Sequence, residues 1–248
     1  MNTSKTYIWT IPTRIFHWML VVSLVGAYIA EEDFITTHVA FGYSAGALII
    51  FRLLWGIVGP MHSRFSDFPM GIGSLRKFAS SFTGHSKPYA GHNPAASWVM
   101  LAIIIDALLL VCSGLLTLAQ EGQQGLFANL PLAAGIEFKE LHEVFFQSMV
   151  VLVIAHLAGL VVDFIWHKSQ SALTSMFTGY KNGVDGHDVK LNGFQKLLAF
   201  FGVAVPLAAF LTILSGPPVL LNEKGEGEKT ETPGNQGESE GDEDEDDD

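Results

Sequence analysis

"LHEVFFQSMVVLVIAHLAGL", Leu141 to Leu160, is long and apolar enough to cross a bilayer, yet it carries His142 and His156. A polar side chain at membrane depth is costly and is kept for a use. At about 1.5 Å per residue, fourteen residues place the two histidines roughly 21 Å apart along a helix. At about 100° per residue, the second returns to within about 40° of the face of the first. The two imidazoles therefore stand one above the other, near opposite sides of a membrane.

The rest of the chain suits that setting. Its 248 residues are 49% hydrophobic, and mean hydropathy is +0.33. The formal charge of −11 belongs wholly to residues 223–248, "EKGEGEKTETPGNQGESEGDEDEDDD", where 13 acids face two lysines. The preceding 222 residues hold 12 acids and 12 basic residues, so the acidic pI describes the tail alone. Low hydrophobicity, five glycines and a terminal run of acids give that tail too little apolar surface to fold by itself, and it is expected to be disordered. Cys112 is the only cysteine, which excludes an intrachain disulfide framework and a C-x-x-C-H site for covalent haem. Any haem here is held non-covalently, by histidine or methionine.

Five apolar stretches approach the roughly 20 residues that a membrane helix needs. They run over about 11–30, 38–59, 95–119, 141–166 and 194–216. The first is read as a retained helix and not a cleaved signal, because no small-residue cleavage site follows it. Pro206 interrupts the fifth, which a membrane helix tolerates with a kink. The fold expected is an all-α integral membrane protein: a four-helix transmembrane core carrying haem over residues 1–193, a fifth helix over 194–216, and an acidic tail over 217–248.

Basic residues set the expected orientation. Lys5 and Arg14 lie at the start of the first span, Arg64, Arg76, Lys77 and Lys87 follow the second, and Lys168, Lys181 and Lys190 follow the fourth. The intervening loops hold only Lys139. This alternation puts the N-terminus in the cytoplasm, and five crossings put the C-terminus outside, which in a bacterial inner membrane is the periplasm.

Nine histidines are present. His62, His85, His167 and His187 fall in polar or basic connections and read as solvated loop residues. His92 lies in "GHNPAA", where Asn93-Pro94 favours a turn and Pro94 can open a helix, so a structural helix-opening role is expected for it. The other four, His17, His38, His142 and His156, lie within or at the edge of apolar spans. Spans two and four begin outside, so His38 and His142 are outer. Span one begins inside, so His17 joins His156 as inner. The natural pairs are His38 with His142 and His17 with His156, and each pair can clamp one haem iron between two imidazoles. Two non-covalent b-type haems stacked along the fourth helix make relay stations for electrons across an apolar barrier. Zinc fits less well, because its four ligands gather closely in a tetrahedron.

Arg52 follows His38 by fourteen residues, on nearly the same face and at the inner depth. Two readings fit it: pairing with a haem propionate, or snorkelling to cytoplasmic headgroups. Arg14, one turn before His17, admits the same pair. Gly42 and Gly46 either leave room for a porphyrin face or let two helices approach closely.

These contexts resemble a known family. "RIFHWM" in the first span, "HVAFGY" and "FRLLWG" in the second, "GHNPAA" before the third and "LHE" in the fourth are similar to the bacterial cytochrome b561 family, over about residues 8–180. That family includes b-type cytochrome subunits of Ni/Fe hydrogenases. The resemblance implies a bundle with two bis-histidine haems on the first, second and fourth helices, with His17, His38, His142 and His156 at the ligand positions. It implies electron transfer between the quinone pool and a partner redox protein. The leading functional expectation is a carrier between quinone or quinol and a periplasmic partner such as a c-type cytochrome. The alternative is a membrane-anchor subunit of a hydrogenase or another periplasmic oxidoreductase. Membrane lipid is the remaining expected partner, and nucleic acid is not one.

Overall fold

The computed structural model describes residues 5–31, 33–81, 89–132, 135–167, 171–184 and 187–221. The acidic tail, including the disorder expected of it, lies outside these residues, as does His85. In chain order the elements are β1 (Lys5–Tyr7), α1 (Ile11–Ile29), α2 (Ile35–Val58), α3 (Ile72–Ser81), α4 (Pro94–Gly122), α5 (Phe138–His167), α6 (Ala172–Thr178), β2 (Tyr180–Asn182) and α7 (Gly193–Leu214). Five of the helices, α1, α2, α4, α5 and α7, are long and apolar enough to cross a membrane. The expected helical bundle is therefore present. Two short helices and a small two-stranded sheet, which hydropathy did not mark, join it on the N-terminal side.

Local chemistry starts the helices. Pro94 opens α4 and the Asn93 side chain accepts from Ala96 N at 2.8 Å, satisfying one amide left free at a helix start. Asn192 and Gln195 close a reciprocal capping box at the start of α7. Pro206 sits inside α7 and is buried. Gly179 ends α6 at φ +85°, where a Cβ would also lie 2.6 Å from the Tyr7 ring, so glycine meets a turn and a close approach together. That turn leads into β2, which pairs antiparallel with β1 in the register Lys5 with Asn182 and Tyr7 with Tyr180. The N-terminus is thereby tied to the segment that follows α5.

Packing divides around α2. On one side α2 packs against α1 and α7, with Phe16, Leu48, Phe51, Trp55 and Ala199 as the shared core. Gly202 of α7 lets the helices close up, since a Cβ there would stand 2.4 Å from the Phe51 ring. On the other side α2 meets α4, which pairs along its length with α5 around Ile49, Ala107, Leu110 and Met149. Most of α1 and α5 is not packed on protein in this way; only 6% of each apolar window is buried. Their far-side ends touch through Tyr28 and Phe146, whose rings stack at 5.5 Å. The histidines stand on the helices that border this loosely filled region.

Candidate functional site

His38 lies in the first turn of α2 and His142 in the first two turns of α5, both at the far side of the bundle. Their ring centroids are 6.1 Å apart with planes at 79°. His38 Nδ1 is 2.9 Å from the Ala27 carbonyl on α1. His142 Nδ1 is 3.0 Å from the Leu110 carbonyl on α4 and 3.2 Å from Ser113 Oγ. A ring whose Nδ1–H donates to a carbonyl keeps the lone pair on Nε2. Both imidazoles are thus held in the tautomer that leaves one nitrogen free to act as a donor to a metal.

His17 on α1 and His156 on α5 form the second association, toward the N-terminal side. His156 is near enough to act electrostatically on His17, and Trp18 meets the His17 ring edge-on at 5.0 Å. His17 Nδ1 is buried without a hydrogen-bond partner among the described residues. A buried polar atom left in that state points to a group that completes its surroundings. Among the described residues no three His, Cys, Asp or Glu side chains gather as a metal cluster; the histidines stay in twos.

The two glycines of α2 separate. A Cβ on Gly46 would meet Val111 at 3.0 Å, so Gly46 serves the close approach of α2 and α4. A Cβ on Gly42 would meet nothing within 4 Å, so Gly42, one turn from His38, borders open space. On the opposing wall, a Cβ on Gly114 would stand 2.9 Å from His142 Cε1.

Arg52 is 6% exposed. It does not reach out to headgroups: Nη1 donates to the Ser63 carbonyl at 3.2 Å, Nη2 lies 3.7 Å from Met100 Sδ, and the guanidinium covers the Phe65 ring at 4.8 Å. Arg14 Nη1 donates to the Phe177 carbonyl at 2.6 Å, tying α1 to α6, while its Nε is buried without a partner among the described residues.

The sequence comparisons bear on this arrangement of helices and histidines. The family model for prokaryotic cytochrome b561 matches residues 8–179. The chain belongs to that family. It is 22% identical to a probable Ni/Fe-hydrogenase B-type cytochrome subunit of Cupriavidus necator, over 74% of this chain and 90% of that protein. Subunits of the same description from Rhizobium leguminosarum and Bradyrhizobium diazoefficiens are each 24% identical, over 76% and 70% of this chain and 93% and 84% of theirs. No solved structure matches the chain. As a b561 cytochrome with five apolar helices it is a multi-pass membrane protein, and haem b is the cofactor its family implies.

One other histidine of this b561 chain differs from the loop reading. His62 is half-buried, takes the left-handed backbone at φ 70°, and donates its amide to Asp67 Oδ2 at 2.8 Å. Its ring lies against Gly91, so it is a packed residue and not a solvated one. Burial lowers its pKa, with Asp67 opposing and Arg64 and Lys181 assisting. His187 is exposed as expected, and nothing is described of the His167 side chain. His92 precedes the α4 cap, as its motif suggested, but its ring is also sandwiched by Trp9 at 5.0 Å and Phe68 at 4.9 Å. Burial, then Arg52, Lys181 and nearby histidines, push its pKa down to about 3. Lys181, 5% exposed, donates to the Tyr89 carbonyl at 2.7 Å and is lowered by burial against the opposing pull of Asp163.

Sequence reading missed the groups around His142. Ser113, Gly114 and the Leu110 carbonyl all come from α4, a helix without a transmembrane histidine. A signal was available: Asp106, Ser113, Thr117 and Gln120 fall within about 40° of one face of α4. A polar line along an apolar span marks the side turned toward a protein partner.

Proposed function

We propose that this chain is the membrane-anchored, di-haem b-type subunit of a hydrogenase or another periplasmic oxidoreductase, passing electrons from that partner to quinone. The carrying observation is the approach of His38 to His142, 6.1 Å between ring centroids, on a helix that holds a second histidine, His156, fourteen residues on. Two imidazoles holding one metal between them, at about 2 Å per bond and roughly 1.1 Å more to each ring centre, would stand about 6 Å apart. The free Nε2 lone pairs, the partnerless His17 Nδ1 and the open space at Gly42 suit the same group. The relatives named as hydrogenase cytochrome subunits support the anchor reading over a free carrier between quinol and a c-type cytochrome.

Under this reading His38 and His142 would hold the outer haem, and His17 and His156 the inner one. When bound, haem b supplies a one-electron iron couple. The chain's own residues do the rest. The Ala27 and Leu110 carbonyls accept the Nδ1 protons of the outer pair, fixing each ring and strengthening its Nε2 as a donor. Ser113 holds the His142 ring from the side. With two imidazoles to hold each haem, the site would suit electron transfer. Arg52, at the inner depth, supplies positive charge for a propionate, as does Arg14 beside His17. Basic loops on the N-terminal side support a cytoplasmic location for that side of an inner membrane, with quinone reduced near the inner pair and the partner docked at the periplasmic face.

The test is purification of the full chain with its membrane partners in mild detergent. The expected preparation is red, holds two acid-extractable low-spin haems per chain, and carries an oxidoreductase catalytic subunit in fixed ratio. One haem per chain, a high-spin spectrum or a colourless protein overturns the di-haem reading. Absence of any catalytic subunit overturns the anchor reading.

A further inference from the structure

Asp106 stands near the middle of α4, 7% exposed, in a helix otherwise apolar at that depth. Its Oδ1 meets the hydroxyl of Ser148 on α5, and that hydroxyl also lies 3.3 Å from the Phe145 carbonyl. Its Oδ2 is buried without a hydrogen-bond partner among the described residues. Ala107 and Leu110 beside it belong, with Ile49, Met149 and Phe145, to the dry cluster of the α2–α4–α5 seam.

Proton bookkeeping distinguishes two states of this group. An ionised carboxylate competes with Phe145 for the single Ser148 hydroxyl proton and leaves Oδ2 unsolvated. A neutral carboxyl donates to Ser148 Oγ, which donates to the Phe145 carbonyl, and both protons are used. The environment therefore favours a bound proton but provides no opposing charge to make either state permanent. An ionisable side chain kept at membrane depth on these terms serves a proton function.

Its depth says which one. Ser148 lies six residues beyond His142 and eight short of His156 on α5, or about 9 Å and 12 Å along the axis. The carboxyl stands between the levels of the two histidine pairs, where weak screening carries its charge to both.

We propose that Asp106 is a proton-binding residue whose charge is linked to electron occupancy at both histidine sites. This rests on reading those pairs as haem ligands. One electron delivered by the partner or by quinol reduces one ferric iron to ferrous, and one proton from water binds the Asp106 carboxylate. When the electron leaves, the iron is ferric again and the proton returns to water. The single proton offsets one electron at a time, so the first electron to enter leaves the net charge of the apolar interior unchanged.

Other titratable groups on the packed helices are accounted for. On α5 these are His142 and His156 themselves, Glu143 next to His142, Lys139 and Glu140 in the first turn, and Asp163 and His167 toward the other end. On α2 Arg52 reaches α4 at Met100, six residues before Asp106, and the Tyr43 hydroxyl accepts from the Leu126 amide past the end of α4. His38 faces His142, and Arg76 on α3 is exposed. Cys112 and Glu121 lie on α4 itself. No hydrogen bond or ion pair joins any of these to Asp106 among the described residues.

The experiment is redox titration of the haem-loaded full chain in lipid nanodiscs across a pH series, paired with redox-difference infrared spectra. In the wild type both midpoint potentials should fall as pH rises, the two slopes together reaching at most tenfold in the reduction equilibrium per pH unit, or 59 mV for one electron. A protonated-carboxyl band should grow on reduction. Asp106→Asn should flatten both slopes, hold the potentials near the wild-type acid limit and remove the band. Ser148→Ala should keep the slope but move its pH range. A pH-independent wild type, or a slope and band that survive Asp106→Asn, overturns the proposal. Should Asp106→Asn fail to assemble, the wild-type band and the Ser148→Ala shift decide, and absence of either overturns it. A single bound haem would remove the two-pair reading, while slope and band at that haem still judge Asp106.

Discussion

Gly114 of α4 lies so close to His142 of α5 that a Cβ would stand 2.9 Å from the imidazole Cε1 and 3.1 Å from Nδ1. The ring cannot simply swing aside, because the Leu110 carbonyl and Ser113 hold its Nδ1. Gly114→Ala should therefore displace the imidazole and weaken the outer haem site by roughly 10- to 100-fold, the usual cost of disturbing an outer-shell partner. Haem titration of the apoprotein reads the loss, and unchanged helix content by circular dichroism separates it from misfolding.

The pairing of histidines predicts matched losses. His38→Ala and His142→Ala should each remove the same outer haem, and His17→Ala and His156→Ala the same inner one. Optical redox titration of the four variants should therefore show two patterns, not four. Loss of one common haem in His17→Ala and His142→Ala would contradict the pairing.

His92 should make the folded protein acid-sensitive. Its ring is neutral in the folded state down to about pH 3, whereas an unfolded histidine binds a proton near about pH 6.5. Between those values the unfolded state holds more protons, so stability contributed by His92 is present above pH 6.5 and is lost as pH falls toward 3. His92→Phe keeps the ring packing against Trp9 and Phe68 and removes that dependence. Thermal unfolding at pH 7 and pH 5 should show a smaller drop for the variant than for the wild type.

The acidic tail predicts a salt-dependent rate. Deleting residues 223–248 removes a net charge of −11 and should leave both haems and their potentials intact. Electron exchange with a positively charged periplasmic protein should slow at low ionic strength and much less at high, because steering by charge is screened by salt. Stopped-flow haem oxidation across a salt series measures this. Equal rates at every ionic strength would leave the tail with a solubilising role only.

Hydropathy and periodicity by themselves established five apolar helices and the two levels of one helix, about four turns apart, at which His142 and His156 stand. Both properties are local: they depend on the residues of one helix and on its 3.6-residue turn. Only the tertiary structure decided what stands across each seam. It set the His38 and His142 rings 6.1 Å apart, turned their Nδ1 atoms to Ala27 and Leu110, and assigned Gly46 to helix packing and Gly42 to open space. It also withdrew Arg52 from the headgroups, packed His62 against Gly91 and set His92 between Trp9 and Phe68, which their positions in the sequence did not foretell. Those outcomes depend on side chains of helices distant in sequence filling one another's gaps, and no pattern along a single helix encodes which neighbour will supply the carbonyl, the ring or the space.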